Sequence, residues 1–164
     1  MALPTKILPG FSATLYAQPS STPTPLTSAA LATYATVSAL AVSGNLVPVE
    51  AIPAFGQDDA VASFGVAGSR QSDKIPVQSA PTSMTITAAW NPSDTVLLLL
   101  RADAYNGTID RTFVISATDG TGIVNYAFNG RVSQWTIDSA PGAEAKVTFT
   151  IHPRGNQYGW SAST

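Results

Sequence analysis

Charge is scarce in this chain. Asp, Glu, Lys and Arg make up 11% of its 164 residues, against about 25% in an average globular protein. Cysteine is absent and there is a single histidine, His152. That excludes disulfides, thiolate metal sites and a histidine-rich metal centre. The net charge of −2 leaves no basic excess to grip nucleic acid. No uninterrupted apolar run reaches the ~18 residues of a helical membrane span. The opening "MALPTKILPGFSATLYA" lacks the charged start and continuous apolar core of a signal peptide, so nothing in it marks the chain for export.

What fills the place of charge is Thr, Ser, Ala, Gly and Pro, while the hydrophobic fraction is an ordinary 45%. The length suits one domain with one sizeable core. A free monomer usually carries more surface charge for solubility. A surface of small uncharged residues suits a chain that packs against copies of itself, although secreted β-proteins share the composition.

Strand patterns dominate the chain. Residues 1–28 read as a Pro-punctuated arm, a short alternating run "FSATLYA" with Phe11, Ala13 and Leu15 on one side, and the loop "QPSSTPTPLTS". "YATVSALAV" supports a strand, with enough Ala to support a helix instead. "NLVPVEAI" reads as a strand whose Pro48 belongs at an edge or bulge. Residues 53–81 show no sustained period and are predicted to form a long loop. That stretch nevertheless carries Phe55, Val61, Phe64 and Val66, apolar residues that need cover from outside the subunit. "SMTITAAW" alternates, with Met84, Ile86, Ala88 and Trp90 on one face.

The next segment predicts one helix, over about 92–105. Asn91 is its expected N-cap, with Pro92 at N1, Asp94 reaching back, and Gly107 ending it. Val96, Leu97, Leu100 and Ala104 form its inward stripe, with Leu99 beside it. Then come a strand "RTFVISAT", a turn "DGTG", and a long strand "IVNYAFNGRVSQWTI". Its apolar parity flips near Ser133-Gln134, which predicts a bulge. "AKVTFTIHP" closes the series with Val147, Phe149 and Ile151 inward and Thr148, Thr150 and His152 outward. The tail 155–164 is broken by Gly and holds Trp160.

No active site emerges. His152 faces outward without a positioned partner, so it reads as a surface histidine. Asp58-Asp59 could be half of a carboxylate metal site, but no spaced ligands accompany it, which favours a solvated loop tip. "NGT" at 106–108 reads as a helix cap rather than a glycosylation site. Trp90 and Trp135 have the phase of core residues rather than of a sugar platform, whereas Trp160 needs a pocket, which another chain could supply. No cofactor and no enzymatic role are expected.

The order of these pieces carries a resemblance over about residues 11–155. A "SMTITAAW" strand runs into "NPSD" and a Leu-rich helix. Tyr126, Phe128, Gly130 and Val132, then Val147, Phe149, Ile151 and Gly155, close the domain. This pattern resembles the major tail tube proteins of long-tailed, lambda-like bacteriophages, a family related to type VI secretion and tailocin tubes. The resemblance implies a β-sandwich or partial barrel flanked by one helix. Six copies would join their sheets into a ring with a β-barrel lumen, and the rings would stack into a tube. The tube would enclose a tape-measure protein, meet terminator and baseplate or tail-tip proteins, and pass DNA without binding it. The place of action would be the virion tail, assembled in the host bacterial cytoplasm. The arm 1–28, the loop 53–81 and the tail 155–164 would contact neighbouring rings, with Phe55, Asp58, Asp59, Val61, Phe64, Val66, Arg70 and Trp160 at the interface. A carbohydrate-binding β-sandwich, secreted or on a virion surface, is the reading from another class. A head-decoration or tail-terminator ring is the alternative within the phage reading.

Overall fold

A computed structural model describes residues 12–65, 72–118, 122–140 and 142–163, with side chains described over 12–56, 80–118, 122–140 and 142–155. Its centre is one six-stranded antiparallel sheet. The sheet is built from β1 (Ser12–Ala17), β2 (Leu46–Val47), β5 (Met84–Ala89), β6 (Asp110–Thr118), β7 (Gly122–Asp138) and β8 (Lys146–Ser163). Their spatial order is β2-β1-β6-β7-β8-β5. The sheet curls until its two edges meet. Just past β2, Val49 bridges Ala88 of β5. Two main-chain bonds flank that bridge, Glu50 N–H to the Thr87 carbonyl and Ala89 N–H to the Pro48 carbonyl, each 2.9 Å. This is the mainly β, partial-barrel class expected from the sequence. Pro48 sits at the seam, where its missing N–H interrupts no ladder.

Alternation decides what fills the curl. Leu15 and Ala17 of β1, Met84, Ile86 and Ala88 of β5, Phe113 and Ile115 of β6, Phe128 and Val132 of β7, and Val147, Phe149 and Ile151 of β8 are all buried in one cluster. Trp135 stacks on Phe149 and meets Trp90 edge-on, at ring separations of 5.4 and 5.9 Å. Both indoles pack against the core, as their phase predicted. The parity flip in β7 is a bulge. Between Ser133↔Thr150 and Thr136↔Thr148, β7 spends one residue more than β8, and Gln134 takes the left-handed φ of 56° that absorbs it.

The helix α3 (Thr95–Asn106) adds Val96, Leu97 and Leu100 to the same core. Its N-cap differs from expectation. Asp94, not Asn91, accepts from the N–H groups of Val96 (2.9 Å) and Leu97 (3.1 Å). Asn91 instead accepts from Ser93 N–H in a turn before the helix. Pro92 therefore precedes the cap. Gly107 ends the helix in the left-handed region, φ 66°, and donates to the Asp103 carbonyl. The stripe also contains a residue that hydrophobicity could not show. Asp103 is buried and pairs at 2.6 Å with Arg111, the buried second residue of β6.

Four other segments depart from the expectations. "YATVSALAV" contains the short helix α2 (Tyr34–Ser38), preceded by α1 (Ser28–Leu31), so the Ala content prevailed over the alternation. Leu31 and Val37 press on Val114 and Ala127, covering the outer side of β6 and of the first half of β7. Residues 53–81 are not a loop throughout. They hold the hairpin β3 (Gln57–Gly65) and β4 (Ser72–Pro81), paired from Gln57↔Pro81 to Gly65↔Ser72 with a register shift at Ala60/Val61. Irregular pairing of this kind leaves no clean period to read. The region read as an N-terminal arm and loop contains β1, an interior strand of the sheet. The tail is the end of β8, where Gly122↔Ser163 through Ala127↔Tyr158 pair with β7 beyond a second register shift. Gly155, at φ 73°, lies in that shift.

Candidate assembly surface

The sheet's outer face is covered only in part. Over β6 and the start of β7 lie α1 and α2. On β5, the first half of β8 and the second half of β7 the outward residues are mainly polar. In register across these strands stand Thr85↔Thr150↔Ser133 and Thr87↔Thr148↔Thr136. The side of the sheet behind them is the core, with α3 packed into it.

The hydroxyls of this band bond mainly to the band itself. Thr85 Oγ1 lies 3.3 Å from Thr150 Oγ1, which donates to Gln134 Oε1 at 3.0 Å. Thr87 Oγ1 lies 3.5 Å from Thr148 Oγ1, and Thr136 donates to the Thr148 carbonyl at 3.3 Å. A hydroxyl carries one donor. Donors already committed within the face are poor hooks for a passing phosphate or carbonyl.

Charges stand at the two ends of the band. At one end Lys146 pairs with Glu50, which ties β8 to the seam. The hydrogen bond that Lys146 donates to the Glu50 carboxylate, followed by the charge of Glu50, holds the Lys146 ammonium above the usual lysine range. At the other end Asp110 takes Arg131 on one carboxylate oxygen (2.9 Å) and Arg154 on the other (2.8 Å). His152 stands beside Arg131, its register partner. The ring of His152 is not the solitary surface histidine expected: Ser83 Oγ lies 2.8 Å from Nδ1 and Ser133 Oγ 2.8 Å from Nε2.

The expected interface residues fall into three groups. Phe55 is half-buried in its own subunit, edge-on to Tyr126 at 5.1 Å. It lines a cavity of about 390 Å³ with Ala13, Ile52, Ala117 and Tyr126. Asp58, Asp59, Val61 and Phe64 lie in β3, so the Asp pair sits within a strand rather than at a loop tip. Trp160 lies in β8 opposite Asn125. The side chains of these last five are outside the described residues, and Val66 and Arg70 lie outside them altogether. The fold gathers the β3–β4 group on one hairpin whose root is clamped by Thr82 N–H on the Gly56 carbonyl at 3.0 Å. Among the described residues no cluster of three or more metal-ligating acids or histidines forms, and no described helix is long and apolar enough to cross a membrane.

Known structures of similar shape come from tail-like machines. A chain of the anti-feeding prophage baseplate, six-fold symmetrised, matches at 12% identity with a TM-score of 0.64, over 98% of this chain and 97% of that one. A chain of the sheath/tube terminator of an extracellular contractile injection system, in its extended state, matches at 15% identity with a TM-score of 0.63, over 97% and 99%. The SPP1 tail tube protein matches at 10% identity with a TM-score of 0.53, over 93% and 77%. The chain shares its fold with these proteins at low sequence identity. No family model matches the chain, and no curated protein does.

The sequence had placed Thr148, Thr150 and His152 outward, so half of the polar face was legible. Strand order was not. Nothing local says that Thr85 and Thr150, or Ser83 and His152, lie side by side.

Proposed function

We propose that this chain is a structural subunit of a phage-tail-like tube. Copies assemble side by side into rings of six, the rings stack, and the Thr face of β5, β8 and β7 lines the channel. The observation that carries the reading is the near full-length match in shape to ring components of such machines, 97–98% of this chain in two of them. Composition agrees with it. A wall with few charges and internally bonded hydroxyls lets a polyanion slide, because phosphate affinity comes chiefly from Lys and Arg. Heterologous stacking of rings propagates without closing on itself.

On this reading the β3–β4 hairpin, the N-terminal segment and the end of β8 reach neighbouring rings. Phe55, Asp58, Asp59, Val61, Phe64, Val66, Arg70 and Trp160 contribute to those contacts. A tape-measure protein occupies the channel before DNA does, terminator and baseplate or tail-tip proteins bound the tube, and the site of action is the virion tail. The first two similar structures belong to a baseplate and a terminator, which supports a second reading, a ring at one end of a tube.

Electron microscopy of the purified chain tests both. Tubes of indefinite length support the tube subunit, and single rings support the end piece. A chain that stays monomeric at high concentration overturns both. A variant with residues 57–81 replaced by a short link tests the hairpin. Gly56 and Thr82 are already hydrogen-bonded, so the excision leaves the barrel intact, and it should remove stacking. Normal tubes from that variant would show that the hairpin does not join rings.

A further inference from the structure

We propose that a groove beside the start of β1 is a strand-docking site, and that its occupant is the chain's own N-terminal segment. One edge of β1 is only partly used. Gln18 N–H donates to the Thr112 carbonyl at 3.0 Å, one step beyond the Ala17↔Phe113 pair. Antiparallel pairs alternate between exchanging both hydrogen bonds and exchanging none. The bonds to β6 therefore fall at Tyr16, Thr14 and Ser12, and Leu15 and Ala13 turn theirs to the other edge. Leu15 meets Val47 of β2 there. Ala13 meets no described partner, because the chain crosses after Val47 to bridge Ala88 of β5. The other lip of the groove is the stretch 51–55. Among the described residues no hydrogen bond reaches the main chain of Ala51, Ile52, Ala54 or Phe55. Ala13 and Ile52 line both the apolar cavity of about 390 Å³ and a second one of about 380 Å³, whose mouth carries Glu50. Unpaired main chain on two lips over an apolar floor is what an added strand recognises.

The occupant is residues 5–8, which lie outside the described structure. Their place in the chain and their chemistry fit the groove. Phe11 directly precedes Ser12, a residue of the groove wall. Pro9-Gly10 is a turn signature, with Pro supplying a fixed φ and Gly a positive one, so the chain can reverse between Leu8 and Phe11. Pro4 and Pro9 bound the four residues, and neither has an N–H to carry a ladder further. Ile7 and Leu8 suit the apolar floor, and Lys6 suits the carboxylate of Glu50, which is 44% exposed. Reach selects the groove of the same copy. The five Cα steps from Ile7 to Ser12 span at most about 18 Å, whereas a domain of this length is roughly 40 Å across. The inference goes beyond the tube reading and narrows it: only residues before Pro4 are then free to meet a neighbouring ring.

The chain has no cysteine, so Leu8→Cys with Ala54→Cys can form only the designed disulfide. Oxidised as a dilute full chain, this variant should run on a non-reducing gel as a monomer that carries the bond. Covalent dimers and longer ladders would make a second copy the occupant and overturn the proposal, and so would the absence of any disulfide. If the double variant does not fold, amide exchange of the otherwise unaltered chain decides. The Ala13 N–H should exchange at least about tenfold more slowly than in Leu8→Asp, which loses the buried leucine. An Ala13 amide that exchanges at the unprotected rate in the wild type overturns the site. Both measurements are read on the dispersed chain. Tubes that fail to form therefore leave the groove standing, and a groove that stays open leaves the tube reading standing.

Discussion

Replacing Asp103 by Ala removes the one carboxylate that faces Arg111 inside the fold. Both side chains are almost wholly buried, at 2% and 1% exposure, and Nε meets Oδ2 at 2.6 Å. Without Asp103, the guanidinium keeps its contact with the Gln18 carbonyl, and its Nη2 has no hydrogen-bond partner already. A buried cation with one neutral acceptor is left, and stranding a charge in this way costs about 3–5 kcal/mol. That is a large share of the ~5–15 kcal/mol by which domains are stable. The double variant Asp103→Leu with Arg111→Met removes both charges and fills similar volume. It should recover most of the loss and could exceed the wild type. Urea unfolding of the wild type, the single variants Asp103→Leu and Arg111→Met and their double variant, followed by tryptophan fluorescence, gives the coupling directly. If Asp103→Ala alone costs under about 1 kcal/mol, the pair behaves like a surface ion pair, and the argument that it latches α3 to β6 fails.

Gly130→Ala should cost about 1–3 kcal/mol, since a Cβ there would stand 3.0 Å from Ile151 Cγ2 and 3.3 Å from the His152 carbonyl; calorimetry would register the lower midpoint. Phe149→Ala should cost about 3–5 kcal/mol, because the ring is fully buried and stacked on Trp135; an unchanged denaturation midpoint would contradict its place at the core's centre. Val49→Cys with Ala88→Cys should oxidise readily, because the flanking main-chain bonds make this a non-hydrogen-bonded pair with its side chains close. The bridge should add about 2–4 kcal/mol, and an oxidised variant no more stable than its reduced form would disprove closure at the seam. The Lys146–Glu50 pair raises the lysine's proton affinity in the fold. Its small contribution is therefore present at neutral pH and lost as strong alkali removes the proton. Denaturation of the wild type and Glu50→Gln should converge there, and a gap that widens with pH would reverse the sign.

Local pattern determined much of this protein. Alternation in "SMTITAAW" and "AKVTFTIHP" set which side chains are core, because a strand has only two faces and one of them is buried. The parity flip located the Gln134 bulge, and Gly107 ended α3. Tertiary structure decided the rest, for reasons of pairing. The hairpin at 57–81 has an irregular register that local period does not reveal. The end of β8 looked like a tail, because its partner is the first half of β7, far away in sequence. Asp94 displaced Asn91 as the cap because only its carboxylate reaches the N–H groups of Val96 and Leu97. The seam at Val49 and Ala88 and the serines on either side of His152 join residues by strand order, and the Asp103–Arg111 latch is set by the packing of α3 against β6. Each is a contact between segments whose local sequences carry no mark of the other, so only the closed sheet brings them together.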